Sequence, residues 1–415
     1  MFFSLFFVKL KMKLSENVLG IIFAGLFNTF CTVNSNVVIE IVPKFSSELI
    51  VLKSLANDQV LLSDKPLVNK TLHVSMGTSK WRNTIHNLLT ENNIQFRLFQ
   101  EHELKKFLRI KRSEDDGKYL TWDEFENWIR MLKSTRNSLV KISVLGKSFE
   151  SRNIYSIKLG ENIQAPNVLL DSGSHAREWL SIASLVGTIK IILNDLNQPG
   201  EDGLWKGILR KWNIYFVPVL NPDGYFHSMK SLENRFWRKN RQLNVDSNCT
   251  GVDINRNYPI GFTENNDPCQ EDFPGGAPFT TLESQSLRKI VSSIQSNLKL
   301  YVSLHCYGQF ILLPWAYKNE KVSDHTNLVK LANDIQKTMF RVGNKNFKVG
   351  TPGELLYTAG GTSFDWVKSL GVPYSYTIEL FPSEDKTLGF IVSENFIKNS
   401  TDEVYESLLT FLSKI

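Results

Sequence analysis

The chain has little cysteine and little histidine, four and seven residues in 415, so each one can be followed individually. It has no long block of one charge sign: 48 basic and 42 acidic residues, a formal net charge of +6, are spread along its length. A nucleic-acid footprint concentrates Lys and Arg on one stripe, so no nucleic-acid partner is expected, and a mildly basic solvated surface accounts for the balance. There is no internal repeat and no low-complexity segment. No Gly-x-Ser-x-Gly elbow occurs, which removes the usual signal of a serine hydrolase. The N-terminal apolar run, Val18 to Phe27, is shorter than the about 20 residues a membrane span needs, and no later segment does better, so no membrane anchor is expected.

What is present is length and apolar content. At 415 residues, 42% of them apolar, the chain exceeds one ordinary domain and can bury a large core. Lys9, Lys11 and Lys13, the run Val18 to Phe27, and the small residues at Val33 and Ser35 follow the layout of a secretory signal. Residues 1–35 are therefore read as a signal peptide cleaved after Ser35, with Met12 as an alternative start, and the product as secreted and extracellular. Cys31 leaves with the leader, and of Cys249, Cys269 and Cys306 two are expected to pair in an oxidising compartment. Cys249 and Cys269 close a loop rich in Asn, Asp, Pro and Gly, a closure that stabilises by about 3 kcal/mol in the chain-entropy account. Cys306 is then the odd thiol. Sequons at Asn69, Asn248 and Asn399 agree with export.

Downstream of the leader, Val37 to Val42 alternates like a strand, Trp81 to Leu89 has helical spacing, Ile94 to Leu98 is strand-like and Glu101 to Phe107 helical. This small α+β unit ends in Arg109, Ile110, Lys111, Arg112, followed by Ser113, Glu114, Asp115, Asp116 and Gly117. A basic-then-acidic polar stretch of this kind is either an ordinary linker or a nicking site for a trypsin-like protease, and the leader favours the second. The expected organisation is a signal peptide over 1–35, a pro-domain over 36–112 and a main domain over 113–415.

From Tyr119 onward apolar runs alternate with amphipathic helices, the pattern of an α/β fold with a buried sheet. Strands are expected at Val140–Val144, Asn153–Lys158, Asn167–Asp171, Ile214–Leu220, Leu300–Leu304 and Tyr374–Ile378. Helices are expected at Trp122–Lys133, Leu180–Leu196, Leu282–Leu298, Asn327–Phe340 and Glu394–Leu412.

Open α/β sheets bind ligands beyond the carboxyl ends of their strands, and those positions are polar here. The strand ending at Asp171 runs into His175, Arg177 and Glu178; the one ending at Leu304 meets His305; the one ending at Ile378 meets Glu379. A catalytic zinc takes three protein ligands from His and Glu or Asp. His175 and Glu178, three apart, can converge on one ion across a turn, and His305 can complete the set from another strand. Taken alone, His-x-x-Glu more often serves as a surface hydrogen bond or a helix cap. The other histidines lie outside such positions. Glu379 ends an apolar strand, where an unpaired carboxylate is unfavourable, so either a salt bridge or a role as base beside the metal must keep it there.

Seven ordered motifs then carry a resemblance: His-Ala-Arg-Glu-Trp at 175–179, Asn-Pro-Asp-Gly at 221–224, Asn-Arg-Phe-Trp-Arg-Lys at 234–239, Gly-Val-Asp-Ile-Asn-Arg-Asn at 251–257, Ser-Leu-His-Cys-Tyr at 303–307, Leu-Tyr-Thr-Ala-Gly-Gly at 356–361 and Tyr-Thr-Ile-Glu-Leu at 376–380. In order and spacing they are similar to the landmarks of the pancreatic-type zinc metallocarboxypeptidases of the A/B group. The resemblance implies a mixed, largely parallel central sheet flanked by helices, preceded by a small α+β inhibitory pro-domain, one Zn²⁺ per chain, and hydrolysis of the C-terminal peptide bond of peptides and proteins. It implies His175, Glu178 and His305 as zinc ligands, Glu379 as general base, Arg238 as oxyanion stabiliser, and Asp253 as the carboxylate orienting His175. Asn255 and Arg256 would hold the substrate carboxylate and Tyr357 would close over it, with Arg177, Arg235 and Tyr307 lining the site for preceding residues.

Phe364 aligns with the family's specificity position, apolar in enzymes that take hydrophobic termini and acidic in those that take Lys or Arg. With Leu312, Ala316, Leu356, Thr362 and Thr377 around it, the pocket is expected to take hydrophobic C-terminal residues, smaller aliphatics over Trp. Three departures from the family pattern stand out: Cys306 after the third ligand, Phe381–Pro382 after Glu379, and Pro352 before Tyr357. The alternatives are a catalytically silent peptide-binding homologue and an enzyme of the same class with basic specificity.

Overall fold

The computed structural model describes residues 37–53, 60–62, 72–76, 79–99, 117–135, 137–198, 203–245, 247–265, 267–383 and 389–415. The leader, the helix expected at Glu101–Phe107, the stretch from Arg109 to Asp116 and the sequon at Asn69 lie outside these residues.

Upstream, β1 (Val37–Ile41), α1 (Ser46–Lys53), β2 (Val60–Leu62), β3 (Leu72–Met76), α2 (Ser79–Glu91) and β4 (Phe96–Phe99) form an α+β unit whose antiparallel sheet runs β2-β3-β1-β4. Its core follows the two periods expected of it. Ile39 and Ile41, and Leu72 and Val74, recur every second residue on the strands, while Ile85 and Leu89 recur at four on α2.

The larger sheet contains β5 (Val140–Lys147), β6 (Asn153–Leu159), β7 (Asn167–Ser172), β8 (Asn213–Val217), β9 (Leu298–Gly308), β10 (Phe310–Leu312), β11 (Lys348–Gly350) and β12 (Tyr374–Ser383), in the order β11-β10-β12-β9-β7-β8-β6-β5. The centre, β12-β9-β7-β8, is parallel, and antiparallel pairings join β5 to β6, β6 to β8 and β10 to β12. Helices α3 (Trp122–Ser134), α4 (Trp179–Leu196), α5 (Leu204–Leu209), α6 (Pro222–Lys230), α7 (Leu282–Ile294), α8 (His325–Gly343), α9 (Pro352–Leu355), α10 (Ser363–Ser369) and α11 (Ile397–Lys414) surround it. The mixed, largely parallel sheet expected from the sequence is the one observed.

Both faces of the central strands are apolar because both are covered. Along β9, Leu300, Val302, Leu304 and Cys306 enter one hydrophobic cluster with residues of α4, α8 and α11, while Tyr301 enters another with Leu287, Ile290 and Val291 of α7. Full burial of each large apolar side chain stabilises by about 1.5–3 kcal/mol. Helix α3 starts at a capping box, Thr121 accepting from the Glu124 N–H and Glu124 accepting from the Thr121 N–H. Helix α4 is long and apolar enough to cross a membrane, unlike the sequence expectation that no later segment would be, but 72% of it is buried inside the molecule. It lies so close to α11 that a Cβ at Gly187 would stand 2.5 Å from Thr401 Oγ1.

Several boundaries differ from expectation, β5, β9 and β12 running longer than expected and the last helix starting at Ile397, and two of the differences have a plain cause. The strand expected to reach Leu220 ends at Val217, because Pro218 has no N–H to donate to the ladder. The helix expected to reach Leu298 ends at Ile294, since Leu298 already pairs with Asn167 of β7.

Candidate active site

The parallel ladders bring three polar strand ends together. Beyond β7 the chain turns at Gly173, with φ of +69° and Ile182 carbons 2.8 Å from where a Cβ would stand, so only glycine fits. That turn delivers His175 and Glu178 just before α4. On β9, the side chains of Ser303 and His305 alternate with the apolar residues around them. On β12, Thr377 and Glu379 face the opposite way from Tyr376, Ile378 and Leu380, which are buried in the hydrophobic cluster. Glu379 and His305 are direct neighbours in register.

His175, Glu178 and His305, all buried, place ligand atoms within 4.8 Å of one another. His175 Nδ1 lies 2.6 Å from Glu178 Oε1, His305 Nδ1 lies 3.0 Å from Glu178 Oε2, and the two Nδ1 atoms are 3.2 Å apart. Behind His175, Nε2 lies 3.1 Å from Asp253 Oδ1. Both ring nitrogens thus face acceptor-only carboxylates; with a cation on the Nδ1 side, the neutral ring keeps its proton on Nε2, which donates to Asp253, and turns its Nδ1 lone pair to the cluster. Burial alone would lower the pKa of His305, but the charge of Glu178 outweighs it and pushes the ring up to about 9. A field that holds a proton on a buried imidazole also favours a cation at the same point. Two imidazoles and a carboxylate are a donor set suited to zinc, and these residues fit that ion.

Asp253 is fully buried and well connected. Oδ1 also accepts from the Asn255 N–H at 2.9 Å, and Oδ2 accepts from Arg238 Nε at 3.0 Å and Nη2 at 2.8 Å. Burial opposes its charge, but Arg238 and His175 hold its carboxyl well below the usual range. Asn255 Oδ1 accepts from the Ser363 N–H at 2.9 Å, and Tyr258 N–H donates to the Gly361 carbonyl, so the 253–258 segment is tied to the turn before α10.

His175, Glu178 and Glu379 line a cavity of about 390 Å³ together with Asn255, Arg256 and Arg238, and its lining also includes Leu312, Ala316, Phe364 and Thr377. Tyr357 and Leu356 are exposed at its rim, 39% and 37%. Glu178 and Glu379 are the only acidic lining residues among those described. Asp365, next to Phe364, is turned away: its carboxylate accepts from the Ala316 N–H at 2.8 Å and the Tyr317 N–H at 3.1 Å.

Arg177 lines the cavity while paired to Glu271 and stacked on Phe390 at 4.4 Å; Tyr307 meets the same ring edge-on at 4.9 Å. Arg235 is not brought to the cavity. It is 2% exposed, donates to the carbonyls of Arg177 at 2.7 Å and Phe390 at 2.5 Å, and stacks on Trp179 at 3.7 Å. Its expected place beside substrate gives way to a buried tie, because these two carbonyls and the Trp179 ring engage its guanidinium. Cys306 packs its side chain into the hydrophobic cluster, on the opposite side of β9 from His305, and only its N–H reaches Glu178, at 3.3 Å. Pro352 opens the short helix α9 and lines the cavity, and Phe381 stacks on Phe396 at 4.6 Å. Cys249 and Cys269 form the expected disulfide. Sequence reasoning missed Glu271 and Phe390; the nearest signal for Glu271 was an acidic residue two places beyond a disulfide cysteine.

The pattern of the family described as "Zinc carboxypeptidase" matches residues 125–407. Carboxypeptidase A1 of Rattus norvegicus is 32% identical over 78% of this chain and 75% of its own length. Zinc carboxypeptidase A 1 of Anopheles gambiae is 32% identical over 79% and 74%. Among solved structures, thrombin activatable fibrinolysis inhibitor superposes with a TM-score of 0.78 at 25% identity, covering 91% of this chain and 97% of that one. The carboxypeptidase A of Helicoverpa armigera shares the fold, with a TM-score of 0.75 at 22% identity over 91% and 97%. The cluster, the cavity and these similarities agree, and the chain belongs to the zinc carboxypeptidase family.

Proposed function

We propose that the chain is a secreted carboxypeptidase, made as a zymogen, that removes short hydrophobic residues from peptide and protein C-termini. The observation that carries this reading is the single cavity running from the His175, Glu178 and His305 cluster, past Arg256, to an apolar end without an acidic partner.

His175, Glu178 and His305 would hold one zinc ion. When bound, zinc supplies Lewis acidity that polarises a carbonyl and acidifies water. Glu379, half-buried beside His305, takes a proton from the attacking water and returns it to the leaving amine. Arg238 is fixed through Nε and Nη2 on Asp253, leaving Nη1 to donate to the developing oxyanion. Asn255 and Arg256 grip the terminal carboxylate, for which a planar guanidinium is suited. Tyr357, at the rim, covers the bound terminus, and Arg177 and Tyr307 contact the residues before it. In the apolar end, Phe364 limits side-chain size, and a cationic terminus would lose its hydration without a counter-charge.

Residues 1–35 are the signal peptide, 36–112 the pro-domain and 113–415 the catalytic domain. The basic Arg109–Arg112 stretch supports cleavage by a trypsin-like protease, and one similar protein is named for activation by thrombin. The test is release of C-terminal Leu, Phe and Arg from blocked dipeptides before and after limited trypsin treatment. Leu release well above Arg, appearing only after the cut, is expected. Preferential release of Arg would overturn the pocket reading; equal activity before and after a verified cut would overturn the zymogen; no release from cleaved, zinc-loaded protein would favour a silent peptide-binding homologue.

A further inference from the structure

We propose that Asp171, acting through Ser303, is a positioning residue that fixes the ring tautomer of His305. The inference rests on the reading above that His305 holds zinc.

Asp171 and Ser303 are register partners on β7 and β9 and neither is exposed. The Tyr301 hydroxyl donates to Asp171 Oδ2, and the Ser303 hydroxyl donates to Asp171 Oδ1 at 2.9 Å. A hydroxyl has one proton, and this one is committed to the carboxylate. Ser303 Oγ lies 3.1 Å from His305 Nε2, so it turns only lone pairs to the ring. Those lone pairs are satisfied by an Nε2–H, and a neutral imidazole protonated at Nε2 has its lone pair on Nδ1. Nδ1 is the atom that faces Glu178 and His175. The amide nitrogen of Asn255, at 3.5 Å from Nε2, is too distant to compete.

The two histidines are thus supported alike. Behind His175 a carboxylate acts directly, through Asp253; behind His305 one acts through a hydroxyl. Such outer partners typically change metal affinity about 10- to 100-fold when removed.

The test is the zinc affinity of the full chain, measured by competition with a chelator, in Ser303→Ala, Ser303→Thr, Asp171→Asn and the double variant Asp171→Asn/Ser303→Ala. The expected result is a loss of about 10- to 100-fold in Ser303→Ala, retention within about threefold in Ser303→Thr, and an effect of Asp171→Asn that disappears when Ser303 is already Ala. Unchanged affinity in Ser303→Ala, no rescue by Ser303→Thr, or an equal Asp171→Asn loss with and without Ser303 would overturn it. If Asp171→Asn fails to fold, the Ser303 pair decides alone. A wild-type chain that binds no zinc would instead defeat the reading of the site itself.

Discussion

Glu379 of β12 and His305 of β9 stand side by side in a parallel ladder, one buried and one half-buried at the same level of the sheet. Strand register therefore sets the distance between the proposed base and the proposed metal ligand.

Glu379→Gln keeps the shape and hydrogen-bonding reach of the side chain but cannot take a proton from water. Peptide hydrolysis should fall by at least about 10²- to 10⁴-fold, while zinc content and binding of a C-terminal peptide stay near wild type. Steady-state turnover with metal analysis on the same sample checks this. Surviving turnover would assign the base elsewhere.

Phe364→Val should enlarge the apolar end of the cavity. The ratio of kcat/KM for C-terminal Phe over C-terminal Leu should rise about tenfold or more, in the range that pocket-filling methylenes produce. An unchanged ratio would remove Phe364 from the specificity-determining surface.

Much of this was legible in the sequence, for reasons that also explain what was not. The central strands announced themselves because both faces are apolar, and His175, His305 and Glu379 stood out as polar residues where such runs end. Strands β10 and β11, three residues each, are too short to carry a period. Arg235 and Cys306 could be found but not oriented, since motif spacing does not say which way a side chain turns. The Asp171–Ser303 contact joins positions 132 residues apart and exists only once β7 and β9 pair.

Glu283, at the start of α7, is buried with Asn240 Nδ2 donating to Oε2 at 2.9 Å, and burial pushes its carboxyl up to about 7. Its folded pKa is above the unfolded value of 4.5, so between these the folded state binds more protons and stability falls as pH rises. Glu283→Gln should be more stable than wild type by about 1–3 kcal/mol at pH 8 and nearly equal at pH 4. Urea denaturation at the two pH values checks this; a variant less stable at pH 8 would contradict it.

Reducing the Cys249–Cys269 bond, or replacing both cysteines by Ser, should lower stability by about 3 kcal/mol. Asp253 lies inside the closed loop and donates its N–H to the Phe273 carbonyl at 2.8 Å, and just beyond Cys269 the loop's anchor leads to Glu271, which pairs with Arg177. KM for a blocked dipeptide is therefore expected to rise more than kcat falls. An equal fall in kcat with KM unchanged would disconnect the loop from the substrate side of the cavity.

Zinc at His175, Glu178 and His305 is proposed to make the cavity a carboxypeptidase site. This is tested most directly by titrating zinc back into chelator-stripped, trypsin-cleaved protein while measuring release of C-terminal Leu. The account predicts activity rising in proportion to bound zinc and saturating at one ion per chain, and no such rise in His305→Ala; Leu release that persists in zinc-free protein, or that returns equally in His305→Ala, would contradict it.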